Sequence, residues 1–150
     1  MSFEIVVTHE LSLTKLMMTN IRTLAPKQLF LIDSLGGMLS AFLLGVVLAR
    51  FETTFGMPPE VLYILSGLAG VYAVYSYLCY WRIKQNWIPY MQAISVANFL
   101  YCCLTVGLVI YHRYELTKLG FIYFLLEVVV IIILIIAELK TVSRFLIEKV

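Results

Sequence analysis

Between Leu119 and Ala137 the chain reads LGFIYFLLEVVVIIILIIA. A helix crosses a ~30 Å hydrocarbon core with about 20 apolar residues at ~1.5 Å rise each, and this run has that length. Inside such a core no water is at hand for backbone groups, so a spanning segment must satisfy its peptide bonds within itself as a helix, or in a closed barrel. The run carries one charged side chain, Glu127, near its middle. A carboxylate at that depth is costly, so Glu127 is a candidate functional residue whose partner must be found.

The rest of the chain fits the same solvent. Of its 150 residues 62% are hydrophobic and 13% charged, with a mean hydropathy of +0.95. Soluble domains carry about 45–50% apolar and about 25% charged residues. A net charge of +2 gives no footprint for nucleic acid, and the lipid bilayer is the expected partner. The fold class expected is an all-α integral membrane four-helix bundle, with spans at about 27–50, 59–81, 89–112 and 118–139. Residues 26–150 then form one transmembrane domain. Residues 1–25 read either as a leader or as an amphipathic interfacial helix, since Leu13, Leu16, Met17, Ile21 and Leu24 share a face opposite Lys15, Thr19 and Arg22.

Each span has its own pattern. On the first, Asp33, Gly37, Ala41, Gly45 and Ala49 recur every four residues, a small-residue face that lets two helix backbones approach closely within the chain or across a dimer. Pro58 and Pro59 begin the second, where Glu60 in the first turn suits the helix dipole and reads as a solvated cap. Ser66, Gly70, Ala73 and Tyr77 then make a small and polar stripe. On the third, Gln92, Ser95, Asn98, Cys102 and Thr105 are spaced three, three, four and three apart. Amides and hydroxyls in hydrocarbon need partners, so this stripe is expected to face the bundle interior. Thr117 is the expected N-cap of the fourth span. Beyond Ala137 the pattern alternates charged and apolar residues from Glu138 onward, as in a helix leaving the membrane.

Basic residues divide unequally. One side would hold eight, Lys15, Arg22, Lys27, Arg82, Lys84, Lys140, Arg144 and Lys149, and the other three, Arg50, Arg113 and Lys118. The positive-inside rule then places both termini in the cytoplasm. Counting depth from each end puts Glu127, Asn98 and Cys102 in one middle layer, with Asp33 lower, near Tyr77, Ser95 and Gln92. The expected site is a buried polar network of Glu127, Asn98, Asp33, Ser95, Gln92, Cys102, Thr105 and Tyr77, with Glu127 bonded to the Asn98 face. Gly37, Ala41, Gly45, Ala49, Ser66 and Gly70 are the expected packing positions.

The sequence offers little for catalysis. Its two histidines, His9 and His112, fall on opposite sides in this topology. No ExxH pair, CxxC or zinc spacing occurs, so no metal or cofactor is expected. In layout residues 27–147 resemble small four-helix proteins of bacterial inner membranes. The expected role is non-enzymatic: an accessory, assembly, lipid-binding or small-ligand-binding protein, alone, as a homo-oligomer or in a larger membrane complex. The alternatives are a small proton- or cation-coupled transporter acting as an oligomer through Glu127 and Asp33, and an enzyme acting on a lipid or quinone.

Overall fold

Proline and threonine at the expected positions start the long helices. A computed structural model describes residues 4–5, 7–12 and 25–150. Helix α1 spans Pro26–Phe42 and continues as a π-helix over Leu43–Leu48; α2 is Glu52–Phe55, α3 Pro59–Arg82, α4 Ile88–Tyr111 and α5 Lys118–Glu148. Pro26 and Pro59 occupy first positions, where a missing N–H costs nothing. Thr117 caps α5, its hydroxyl accepting from the Gly120 N–H at 3.1 Å. The amphipathic helix expected over residues 13–24 lies outside the described residues, whereas residues 7–12 are helical and exposed.

Four helices are long and apolar enough to cross a membrane: Pro26–Leu48, α3, α4 and α5. Their outward faces carry exposed Leu35, Phe42, Val71, Phe99, Ile122 and Ile133. Water would not tolerate so continuous an apolar surface, and lipid covers it without cost. The chain is an all-α, multi-pass membrane four-helix bundle, with no strand among the described residues.

The small-residue face of α1 packs within the chain, against α3. A Cβ added at Gly37 would lie 3.0 Å from the Ala73 Cβ, and one at Gly45 2.6 Å from the Ser66 hydroxyl oxygen. Ala41 faces Gly70 between them. The Ser66 hydroxyl donates to the Ala41 carbonyl at 2.7 Å. The first span is therefore not a regular α-helix from end to end: the backbone widens into a π turn where it meets α3.

The far end of the bundle is stitched by its two loops. The Thr117 hydroxyl donates to the Thr54 carbonyl at 2.6 Å and the Thr117 N–H to the Phe55 carbonyl at 3.1 Å. Gly56, at φ 77°, makes the turn that allows this, and a Cβ there would run into the backbone of residues 115–117. At the near end, where α3 leads into α4, the continuation of α5 packs on the connecting loop, with Trp87 edge-on to Phe145 at 5.2 Å. Two apolar cores result. Leu44, Leu48, Met57, Leu62, Leu65 and Phe124 fill the far half, and Leu29, Phe30, Met91, Ile94 and Val142 the near half. The buried polar groups lie between and beside them.

Candidate functional site

Helix α4 supplies three donors at three-residue intervals, and each meets one carboxyl group. The Asn98 amide donates to Asp33 Oδ1 of α1 at 2.7 Å, and the Ser76 hydroxyl of α3 donates to Oδ2 of the same group. One turn toward the near end, the Ser95 hydroxyl reaches Glu138 Oε2 of α5 at 2.7 Å and its own helix at the Met91 carbonyl, 2.9 Å. One turn toward the far end, the Tyr101 hydroxyl reaches Glu127 Oε1 at 3.4 Å. Residues three apart on a helix share a face, which makes such a ladder available to two neighbouring helices.

This arrangement differs from the expected network in four ways. Asn98 pairs with Asp33, not with Glu127; the residue that reaches Glu127 is Tyr101, whose longer side chain projects one turn higher. Gln92 is exposed. Each three-residue step drifts about 60° around a 3.6-residue helix, so Gln92, six residues before Asn98, has turned about 120° away from it. Tyr77 is also exposed, because its neighbour Ser76, about 100° around α3, is the residue that points at Asp33. Glu138 lies completely inside the bundle, not on a surface tail. Eleven residues separate it from Glu127, three turns with about 20° to spare, so both face inward. The buried series Gly120, Phe124, Glu127, Ile135, Glu138 and Val142 carries that period and is the signal that would have located Glu138. Cys102 and Thr105 are buried on α4 but do not line the cavity described next.

A cavity of about 310 Å³ opens beside Glu127. Asp33, Ser40, Asn98, Tyr101 and Glu127 supply its polar groups, with the Ser40 hydroxyl beside the Glu127 carboxyl, and Tyr72 and Tyr123 add aromatic rings. Tyr72 and Tyr101 meet edge-on at 6.2 Å. Other lining residues, Gly36, Leu39, Leu126 and Val130, are exposed on the outer surfaces of α1 and α5. The cavity therefore opens sideways between those helices, toward lipid. Glu127 is 8% exposed, and its second oxygen, Oε2, has no hydrogen-bond partner.

Charge in this interior has one sign. Asp33, Glu127 and Glu138 are buried, and no Lys, Arg or His is buried among the described residues. Nor do the described residues hold a cluster of three His, Cys, Asp or Glu side chains fit for a metal ion. Cys79 and Cys102 are buried free thiols, and Cys103 is an exposed one. A pocket of this composition can seat an apolar body and offer hydrogen-bond acceptors to it. No protein-family model, no curated protein and no solved structure matches this chain.

Proposed function

We propose that this chain is a non-enzymatic membrane protein that binds a small amphiphilic molecule reaching it from the lipid phase. The lateral cavity beside Glu127 supports this reading: it has apolar walls, a few convergent polar groups and a volume of about 310 Å³. Small-molecule sites have this composition and run from about 300 to 1,000 Å³. In lipid nanodiscs, a photoactivatable diazirine alcohol with an eight-carbon tail should label Tyr72, Tyr123 and Leu126, and unlabelled octanol should compete. Labelling spread evenly over Val71 and Phe99, without competition, would refute the reading.

We further infer a bacterial inner membrane with both termini in the cytoplasm, on the unequal division of Lys and Arg between the two sides. Fusion of alkaline phosphatase after Val150 should give an inactive enzyme and fusion of a green fluorescent protein a bright one. The reverse pattern would overturn the orientation.

A second reading, proton- or cation-coupled transport by an oligomer, draws support from Glu138, which extends the buried carboxyls from Glu127 and Asp33 toward the near end. Under it, proteoliposomes should dissipate an imposed pH gradient faster than empty vesicles, and Glu127→Gln should remove the difference.

A further inference from the structure

Three observations bear on what the cavity beside Glu127 holds. The first is the unpartnered oxygen. Glu127 is more than nine-tenths buried, Tyr101 approaches one of its oxygens at 3.4 Å, the Ser40 hydroxyl lies beside the carboxyl, and Oε2 is left without a well-formed hydrogen bond. Buried polar atoms are nearly always bonded, and of the three unbonded ones, Thr105 Oγ1, Glu127 Oε2 and Glu138 Oε1, Glu127 Oε2 is the one whose residue lines the cavity, where a donor from outside the chain can reach it. The second is charge. Asp33 and Glu127 both line the cavity, and no buried basic side chain among the described residues faces them. An anionic occupant would meet only repulsion there. A cation with N–H groups answers both needs at once. The third is the wall. The rings of Tyr72, Tyr101 and Tyr123 line the same space, and aromatic faces attract ammonium groups most strongly where water is excluded.

Resting on the ligand-binding reading above, we propose that the occupant is an amphiphilic ammonium: a protonated amine on a compact apolar body. Its N–H groups lie on Glu127 Oε2, with Asp33 as the second carboxyl and the tyrosine rings around the charge. A carboxylate offers about four lone-pair sites, so Asp33 can accept from the ligand while keeping Ser76 and Asn98. The apolar body fills the space between α1 and α5 and reaches the mouth at Leu39 and Leu126. The volume of about 310 Å³ favours a compact body over a phospholipid with two full acyl chains. Entry is from the bilayer, where amphiphilic amines concentrate.

The test uses the full chain in lipid nanodiscs and a matched set of three probes: 1-adamantylamine, 1-adamantanol and 1-adamantanecarboxylate. They share one apolar body and differ in the group presented. Binding is measured by equilibrium dialysis of radiolabelled probe against empty nanodiscs of the same lipid. The ammonium should bind about tenfold or more tighter than the alcohol, the margin of a charge-assisted hydrogen bond over a neutral one, and the carboxylate should not bind. Glu127→Gln should remove that margin and leave alcohol binding in place, which also reports that the variant is folded. Glu138→Gln, outside the cavity, should leave the ammonium's preference over the alcohol intact. Equal affinity for amine and alcohol, or an amine affinity untouched by Glu127→Gln, would overturn the ammonium assignment while leaving a small-molecule cavity. An equal loss on Glu138→Gln would overturn it too, by showing that the summed charge of the bundle and not this site is felt. Failure of every probe to exceed empty nanodiscs would refute the ligand-binding reading itself.

Discussion

Gly36 and Gly37 are adjacent on α1, and their substitution by alanine should have opposite consequences. A Cβ at Gly36 meets nothing within 4 Å, whereas one at Gly37 lies 3.0 Å from the Ala73 Cβ, 3.1 Å from the Ala69 carbonyl oxygen and 3.3 Å from the Ala73 Cα. Two of those three atoms are backbone and cannot rotate away. Alanine removes the helix penalty of glycine, about 0.5–1 kcal/mol, at either position. That gain is common to both variants, so their difference isolates the contact between α1 and α3. Forcing a methyl group into a closely packed contact costs about 1–3 kcal/mol. Gly36→Ala should therefore be neutral or stabilising, and Gly37→Ala should fall below it by about 1–3 kcal/mol. The strain also reaches the site, since Asp33 lies one turn from Gly37 and depends on Ser76 of the same α3. Reversible unfolding by sodium dodecyl sulfate from mixed micelles, followed by circular dichroism, measures both variants on one scale. Equal stability of the two, or a Gly37→Ala more stable than Gly36→Ala, would refute the close approach of α1 to α3.

Four further outcomes can be checked with the same assay. Asn98→Ala strips one donor from Asp33 and should cost about 1–2 kcal/mol, near the upper range for interhelical hydrogen bonds in lipid. Glu138→Ala removes a fully buried side chain together with its Ser95 bond and should cost about 2 kcal/mol or more, whereas Glu148→Ala, whose pair with Arg144 is exposed, should stay within about 0.5 kcal/mol. Near-equal effects at 138 and 148 would return Glu138 to the surface. Thr117→Ala loses both the α5 cap and the bond to Thr54; it should cost about 1–2 kcal/mol and speed amide exchange in residues 54–56, which an unchanged exchange pattern would contradict. Gly45→Ala should displace the Ser66 hydroxyl from the Ala41 carbonyl, and a second change, Ser66→Gly, should recover part of the loss; no recovery would count against that contact.

What sequence could and could not say divides along a physical line. Spans follow from summed transfer free energy over about 20 residues, which one wrong residue hardly changes. The four helices and the Thr117 cap are legible for that reason. The small-residue face is legible as a face, but its partner is not, because four-residue spacing says nothing about which helix lies opposite. Azimuth is where single residues matter. On α3 the step from Tyr77 to Ser76 is about 100°, enough to exchange a lipid-facing ring for the hydroxyl that holds Asp33. Glu138 was hidden by the same hydropathy logic that found the spans, since a charge at the end of an apolar run reads as an exit. The π turn at Leu43–Leu48 leaves no trace in hydropathy, which sums transfer free energy and does not register how the backbone hydrogen bonds are spaced.

The ladder on α4 also separates one carboxyl, which both borders the cavity and keeps an unbonded oxygen, from two others. All three acids are buried, so burial alone does not distinguish them. Asp33 has donors on both oxygens from two different helices, which ties α1 to α3 and α4. Glu138 is fully enclosed and held through one oxygen at 2.7 Å, which ties α5 to α4 toward the near end. Each closes a gap between helices that lipid-driven association, lacking a hydrophobic effect, would otherwise leave weak. Glu127 differs in its setting. Its Tyr101 contact is the longest of the ladder, and of the two glutamates with an unbonded oxygen, Glu127 and Glu138, it is the one that borders a cavity opening to the bilayer. The proposed ligand site rests on that setting: a half-bonded acid in a pocket with three tyrosine rings, open to lipid, and no buried base among the described residues.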